Sequence, residues 1–265
     1  MSLLVTVYTN EGIIMASDSR TSFSRVQQVL GQRVRVPSGH FYDTVDKTFL
    51  APNNCGISTC GDGSINKIPI SGIIKTFIRS QVLATDNVLD TVNKLQSYVR
   101  NINTNTDIIF HIFGFDTDSN GNKIMSGYRL ITSGQGSIVK INNSSAGASW
   151  DGETEIMSRL LKQTFYTNQP QNIPAKAQIL LPSNKQIVVQ ESILIDKANL
   201  RVFPEQNIPW DLMSIQDAIE FVEYAIKTTI DTMKFAVVNK TVGGPIDILV
   251  ITPDGASWVK KKKSY

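Results

Sequence analysis

The feature that most limits what this chain can fold into is the order in which its hydrophobic periods change. Residues 3–8 and 13–17 of MSLLVTVYTNEGIIMASDSR read as strands ahead of any helix, and strand-like runs return at residues 47–51 and 55–59. Only then does a helical period of about 3.6 residues begin. Ile70, Ile73, Ile74, Phe77 and Ile78 fall on one helical face, and Val88, Leu89, Val92, Leu95 and Val99 on the next, with Asp86 read as the cap of the second helix. Strands follow at residues 107–115, 123–131 and 137–141, divided by turns at Asn120-Gly121 and Gly134-Gln135-Gly136. A third helix is expected over residues 153–163. A fourth is expected over 214–235, where Ile215, Ile219, Val222, Ile226, Ile230 and Met233 recur every three or four positions. The closing IDILVITPDGASWVK reads as a buried strand, a turn at Asp254-Gly255 and an edge strand. Groups of strands alternating with pairs of helices argue against a parallel βαβ wind. They predict an α+β fold, a four-layer αββα sandwich with helices outside two sheets.

A chain of 265 residues, 41% hydrophobic and 18% charged, can bury one sizeable core. A single domain over residues 1–265 is therefore expected, with a β-rich insertion at about residues 163–210 and a polar, insertion-like excursion at residues 22–43 that holds His40. The formal net charge of +3 owes much to Lys260, Lys261, Lys262 and Lys263, which read as a solvated tail. No basic face recurs along a helix, so no nucleic-acid partner is expected. The apolar start lacks a basic leader region, and no run of about 20 apolar residues occurs, so neither export nor a membrane is expected. Cys55 and Cys60, five positions apart in one apolar stretch, suit buried reduced thiols better than a disulfide or a zinc site and point to the cytoplasm. His111, inside IIFHIFGF, reads as a packed strand residue, which disfavours a Ser-His-Asp hydrolase. The sequons at Asn142, Asn143 and Asn239 carry no weight in a cytoplasmic chain.

A handful of polar residues at strand ends remains. Ser2 stands directly behind a start methionine, Asp18 and Arg20 follow the second strand, Lys47 opens the next hairpin and Gly61 lies in CGDG. Singly, each has an ordinary structural reading: Asp18 and Arg20 as partners or strand-end caps, Lys47 as a surface residue, Gly61 as a turn glycine. Jointly, EGIIMASDSRTS, DKTFLAPNNCGISTCGDG and GGPIDILVITPDG resemble the proteasome β-type branch of the N-terminal nucleophile hydrolases. The resemblance covers most of the chain outside the two insertions. The segment AIKTTIDTMKFAVVNKTVGGPID is similar to the bacterial proteasome homologues known as Anbu.

That resemblance implies a set of roles. Counting back from Asp18 and Arg20 by the family interval lands on Ser2 as the N-terminal nucleophile, and counting forward from Lys47 lands on Gly61, whose backbone N–H would serve the oxyanion. A serine near a glycine supports the amine in the family. Ser149 in SSAGASWDGETE is the match, with Ala148 as the alternative. The family's late aspartate falls near Asn239, and its companion serine near Thr241 or Val242.

The chemistry can be stated from the residues themselves. A serine hydroxyl needs a base, and a free α-amine on the same residue, with a pKa of roughly 7.7 to 8.0, can take up and return a proton near neutrality. A lysine ammonium beside the hydroxyl lowers the amine pKa by like charge and favours an alkoxide-like transition state by attraction, and an aspartate holds that ammonium in place. Arg20 would pair with carboxylates or carbonyls around the same turn. A glycine lets backbone approach the scissile carbonyl. The expected activity is amide-bond cleavage by acyl transfer through Ser2, without metal or organic cofactor, on peptide or unfolded-protein substrate. The resemblance implies a homo-oligomeric ring or spiral, with room for an unfoldase partner, and places the insertion at the active-site mouth or an assembly contact. Two alternatives stay open: a catalytically silent ring or filament subunit, and a small-amide hydrolase or transpeptidase on the same fold.

Overall fold

Two antiparallel five-stranded sheets carry the strand-first pattern of the sequence. The computed structural model describes residues 2–29, 32–103, 105–141, 146–161, 164–166, 178–180, 186–188, 200–202, 208–236 and 238–262. In chain order the first half contains β1 (Leu3–Tyr8), β2 (Ile13–Ser17), β3 (Thr21–Val29), β4 (Gln32–Tyr42), β5 (Thr48–Leu50) and β6 (Gly56–Gly61). A small hairpin of β7 (Ser64–Ile65) and β8 (Ile68–Pro69) leads into α1 (Ile70–Gln81) and α2 (Val88–Ile102). Then come β9 (Ile108–Thr117), β10 (Lys123–Ile131), β11 (Ser137–Lys140), β12 (Gly147–Gly152) and α3 (Glu155–Leu161). Four short strands, β13 (Thr164–Tyr166), β14 (Gln178–Leu180), β15 (Gln186–Val188) and β16 (Leu200–Val202), precede α4 (Ile215–Phe235), β17 (Asp247–Thr252) and β18 (Gly255–Lys260).

The chain divides into two compact units, Met1–Thr154 with Pro209–Tyr265, and Glu155–Ile208. The second unit contains α3 and two antiparallel strand pairs, β13 with β16 and β14 with β15. Apart from residues 208–210, the other residues expected in the insertion, like Asn142, Asn143 and Lys263, lie outside the described residues.

In the first unit one sheet has the order β12-β1-β2-β17-β18 and the other β11-β10-β9-β6-β5. Every residue of β1 and β2 is buried, so this sheet is covered on both faces. On one side Tyr8, Ile13, Met15, Leu249 and Ile251 pack against Phe113 of the second sheet, and α4 packs on β1 and β2. Period-two alternation sorts β9. Ile108, Phe110 and Ile112 join Ile73, Ile74 and Phe77 of α1 and Val92, Leu95 and Val99 of α2 in one core, whereas His111 and Phe113 meet the first sheet. Truncating the fully buried Phe77 to alanine would cost about 3–5 kcal/mol in lost contacts and cavity. The amphipathic period alone predicts α4 correctly, and Ser214 starts it through a capping box with Asp217. Among the described residues, no helix is long and apolar enough to cross a membrane.

Polar side chains also join the two sheets. Thr6 Oγ1 of β1 lies 3.1 Å from His111 Nδ1 of β9, and His111 Nε2 lies 2.8 Å from Asp151 Oδ2 of β12. Arg129 of β10 donates to both Asp151 oxygens at 2.6 Å. Burial by itself raises the Asp151 pKa, but the bonds from His111 and Arg129 outweigh it and hold the carboxyl below its ordinary range. His111 is thus the packed strand residue its alternating context predicts.

Four expectations are corrected. Residues 22–43, read as a polar excursion, form most of the β3–β4 hairpin; the signal lay in Arg33, Val34, Arg35 and Val36, which alternate after Leu30-Gly31. The strand β12 was not expected, because glycines and Asp151 have poor strand propensity. It forms through backbone pairing with β1 from Leu3↔Gly152 to Tyr8↔Gly147. The cap of α2 is Asn87, in a capping box with Asp90, while Asp86 binds Leu83 N and Lys94.

The fourth correction concerns the basic end of the chain. Lys260 pairs with Glu223 at 2.5 Å, and the Lys262 side chain is only 7% exposed. Lys262 N donates to Asp247 Oδ1 at 2.8 Å, its ammonium pairs with Asp247 Oδ2, and it lies 3.2 Å from Asp46 Oδ1. Lys261 stands over the Trp258 ring. Two buried carboxylates draw Lys262 out of solvent, since an unpaired buried anion is far costlier than a desolvated pair, while Lys260 and Lys261 remain at the surface.

Burial alone would raise the Asp46 pKa, but Lys75, Lys261 and Lys262 together pull it from 3.8 down to about 2. Because the folded value lies below the unfolded one, the stabilisation from Asp46 is complete above about pH 4 and is lost as pH falls toward about 2. Thermal unfolding followed from pH 6 to pH 2 should show a steeper acid loss for the native protein than for Asp46→Asn.

Candidate active site

Asp18 sits just past the end of β2, fully buried, and its carboxylate gathers donors from four segments. Leu3 N and Lys47 Nζ reach Oδ1 at 3.0 and 2.8 Å, and Arg20 N and Gly243 N reach Oδ2, each at 3.0 Å. Lys47 also donates to the carbonyl oxygen of Arg20. The lysine is nearly as buried as its partner, at 4% side-chain exposure. Burial therefore pulls its ammonium below the ordinary lysine range, against the attraction of Asp18.

Each partner is held by the fold around it. Ser19 N donates to Gly243 O at 3.0 Å and Val45 N to Ser19 O at 3.1 Å, which ties the turn after β2 to two distant loops. Thr59 N donates to Lys47 O at 2.9 Å, and a hydroxyl chain runs from Ser17 through Thr48 to Ser58. Arg20 contributes its backbone to the site. Its guanidinium is paired with both oxygens of Asp43 at 2.7 Å, stacked over Phe41 and donating to Lys240 O, as the carboxylate-or-carbonyl expectation for this turn required.

Ser2, Lys47 and Gly61 line one solvent-open cleft, together with Thr21, Ser22, Val45, Thr59, Cys60 and Ile70. Gly61 has φ +106°, and a Cβ there would stand 2.2 Å from Asp107 O. No side chain but hydrogen fits. Thr59 Oγ1 is buried without a hydrogen-bond partner among the described residues. Burial pushes the Cys60 thiol up to about 12, which removes it as a nucleophile at neutral pH. Both cysteines are free and buried, and among the described residues no three His, Cys, Asp or Glu side chains gather as metal ligands.

The structure brings Ser2, Asp18, Arg20, Lys47 and Gly61 together but not Ser149. The register pairs Ser149 with Thr6 and Gly152 with Leu3, so Ser149 lies well along the strand from Ser2. The residues that meet Ser2 are the pair that follows in sequence. Glu153 N donates to Ser2 O at 2.7 Å, and Gly152, with φ +98°, lies so close that a Cβ would stand 1.8 Å from that oxygen. Glu153 Oε2 in turn accepts from Thr241 Oγ1 at 3.0 Å. Glu153, Gly152 and Gly243 were missed in the sequence. Only the Asp-Gly in SWDGETE hinted at a sharp backbone feature, and the contact of Gly243 with Asp18 spans 225 positions.

No protein-family model and no curated protein matches this chain. Among solved structures it is similar to a Gly-1 mutant of Anbu from Hyphomicrobium sp. strain MC1, with a TM-score of 0.53 and 12% identity, over 99% of this chain and 86% of that one. At that identity the likeness is one of fold. The chain has a fold like that of Anbu.

Gly152→Ala should disrupt the start of β1, whereas Gly121→Ala, at a positive φ with open space, should cost only the conformational term of about 1–2 kcal/mol. Comparing the two variants by denaturant unfolding checks this. Equal losses would remove the close approach to Ser2 as the reason for the glycine.

Proposed function

We propose that the protein is an N-terminal nucleophile hydrolase that cleaves amide bonds through Ser2, exposed by removal of Met1. The observation that carries this reading is the sharing of one cleft by Ser2, the buried Lys47 held by Asp18, and Gly61. In the proposed reaction the Ser2 hydroxyl gives its proton to its own α-amine and attacks the substrate carbonyl. Lys47 stabilises charge on the reacting oxygen, and the Gly61 backbone N–H receives the oxyanion. The amine then protonates the leaving group, and water releases the acyl chain from Ser2. The packing of α1 and α2 on one sheet and α4 on the other supports the four-layer αββα arrangement that this chemistry uses. The proposed substrate is peptide or unfolded protein. The proposed state is a homo-oligomer in the cytoplasm, where two free buried thiols fit a reducing medium.

An epoxyketone or β-lactone should add its mass to Ser2, and Ser2→Ala should lose the label; labelling at any other residue would refute the role of Ser2. Turnover of a fluorogenic peptide by Lys47→Met should fall by on the order of 10² to 10³ while the thermal transition persists. A folded wild-type protein that takes no label and cleaves nothing would favour the silent-subunit reading. Light scattering should give a mass many times the 29.3 kDa of one chain.

A further inference from the structure

Lys47 is gripped from within by Asp18, and its backbone is flanked from outside by the basic end of the chain. Asp46, the residue before it, is 7% exposed. Lys75 meets one of its carboxylate oxygens at 2.6 Å, and Lys262 and Lys261 lie 3.2 and 3.4 Å from the other. Thr48, the residue after it, gives its carbonyl oxygen to Lys261 Nζ at 3.3 Å. The second anchor is Asp247, fully buried at the start of β17. It accepts Lys262 N and pairs with the Lys262 ammonium, and Lys261 Nζ lies 3.6 Å from it. Asp247 stands in register with Ser17, the residue before Asp18. Two lysines therefore bridge the immediate neighbours of Lys47 to β17, the strand paired with the one that leads to Asp18.

We propose that Lys261 and Lys262 are positioning residues of the nucleophile site, a C-terminal clasp that fixes the Asp46-Lys47-Thr48 segment and sets the charge surrounding the Lys47 ammonium. Its purpose rests on the amide-hydrolase reading; its existence rests on the geometry alone. Neither lysine touches the cleft, so both act through Lys47. A buried ammonium responds to the charges around it, and the positive charge of Lys262 disfavours the charged form of Lys47.

The test is ¹³C NMR of the full-length protein with labelled lysine, following the Lys47 ε-methylene as pH rises. Lys262→Met removes a like charge and should move the Lys47 titration to higher pH. Asp46→Asn removes a counter-charge and should move it to lower pH, and Lys262→Arg should restore the native midpoint. Mere loosening of the segment would displace both neutralising variants in the same direction. Shifts of equal sign, or an unchanged midpoint in folded variants, would overturn the clasp. If Lys262→Met does not fold, Lys261→Met carries the same expected direction against Asp46→Asn. The readout needs no turnover, so a wild-type protein without hydrolytic activity would refute the proposed function and leave this result standing.

Discussion

The buried ion pair of Asp18 and Lys47 is the constraint around which the rest of the site is organised. Removing both groups from water costs several kcal/mol each, and only near-complete hydrogen bonding makes the pair tolerable. Asp18 meets this condition with four donors, and Lys47 with the Asp18 carboxylate and a backbone carbonyl. Those donors come from the first strand, the turn after the second, the segment before the fifth and the loop before the seventeenth. Displacing any of them would leave a buried charge short of a partner. Losing one partner of such a pair costs on the order of 3–5 kcal/mol, far above that of a surface ion pair.

A second polar system shows how position rather than chemistry decides function. Thr6, His111 and Asp151 form a hydroxyl–imidazole–carboxylate chain like that of many hydrolases. It is sealed between the sheets, with His111 fully buried and Arg129 closing its carboxylate, and none of its members lines the cleft. What it does is tie β1 and β12 of one sheet to β9 and β10 of the other. Ser2 reaches the cleft because it lies at the end of β1, where Gly152 and Glu153 hold its carbonyl oxygen.

Elements whose stability is local were legible in the sequence. The apolar alternation of β1 and β2 and the helical faces of α1, α2 and α4 follow from side-chain periodicity, which each segment carries in its own residues. The set Ser2, Asp18, Arg20, Lys47 and Gly61 was legible through the family resemblance, and the fold gathers it from the ends of β1 and β2 in one sheet and of β5 and β6 in the other. Other features depended on distant partners. β12 has little strand propensity and exists because β1 offers it an edge, and that pairing, not residue type, replaces Ser149 with Glu153 beside Ser2. The run of lysines at the end reads as a solvated tail because the sequence does not reveal that Asp46 and Asp247 lie buried 201 residues apart in number and beside one another in space. Local propensity is written in neighbours along the chain, whereas the energy of a buried charge is set by whatever the tertiary fold places against it.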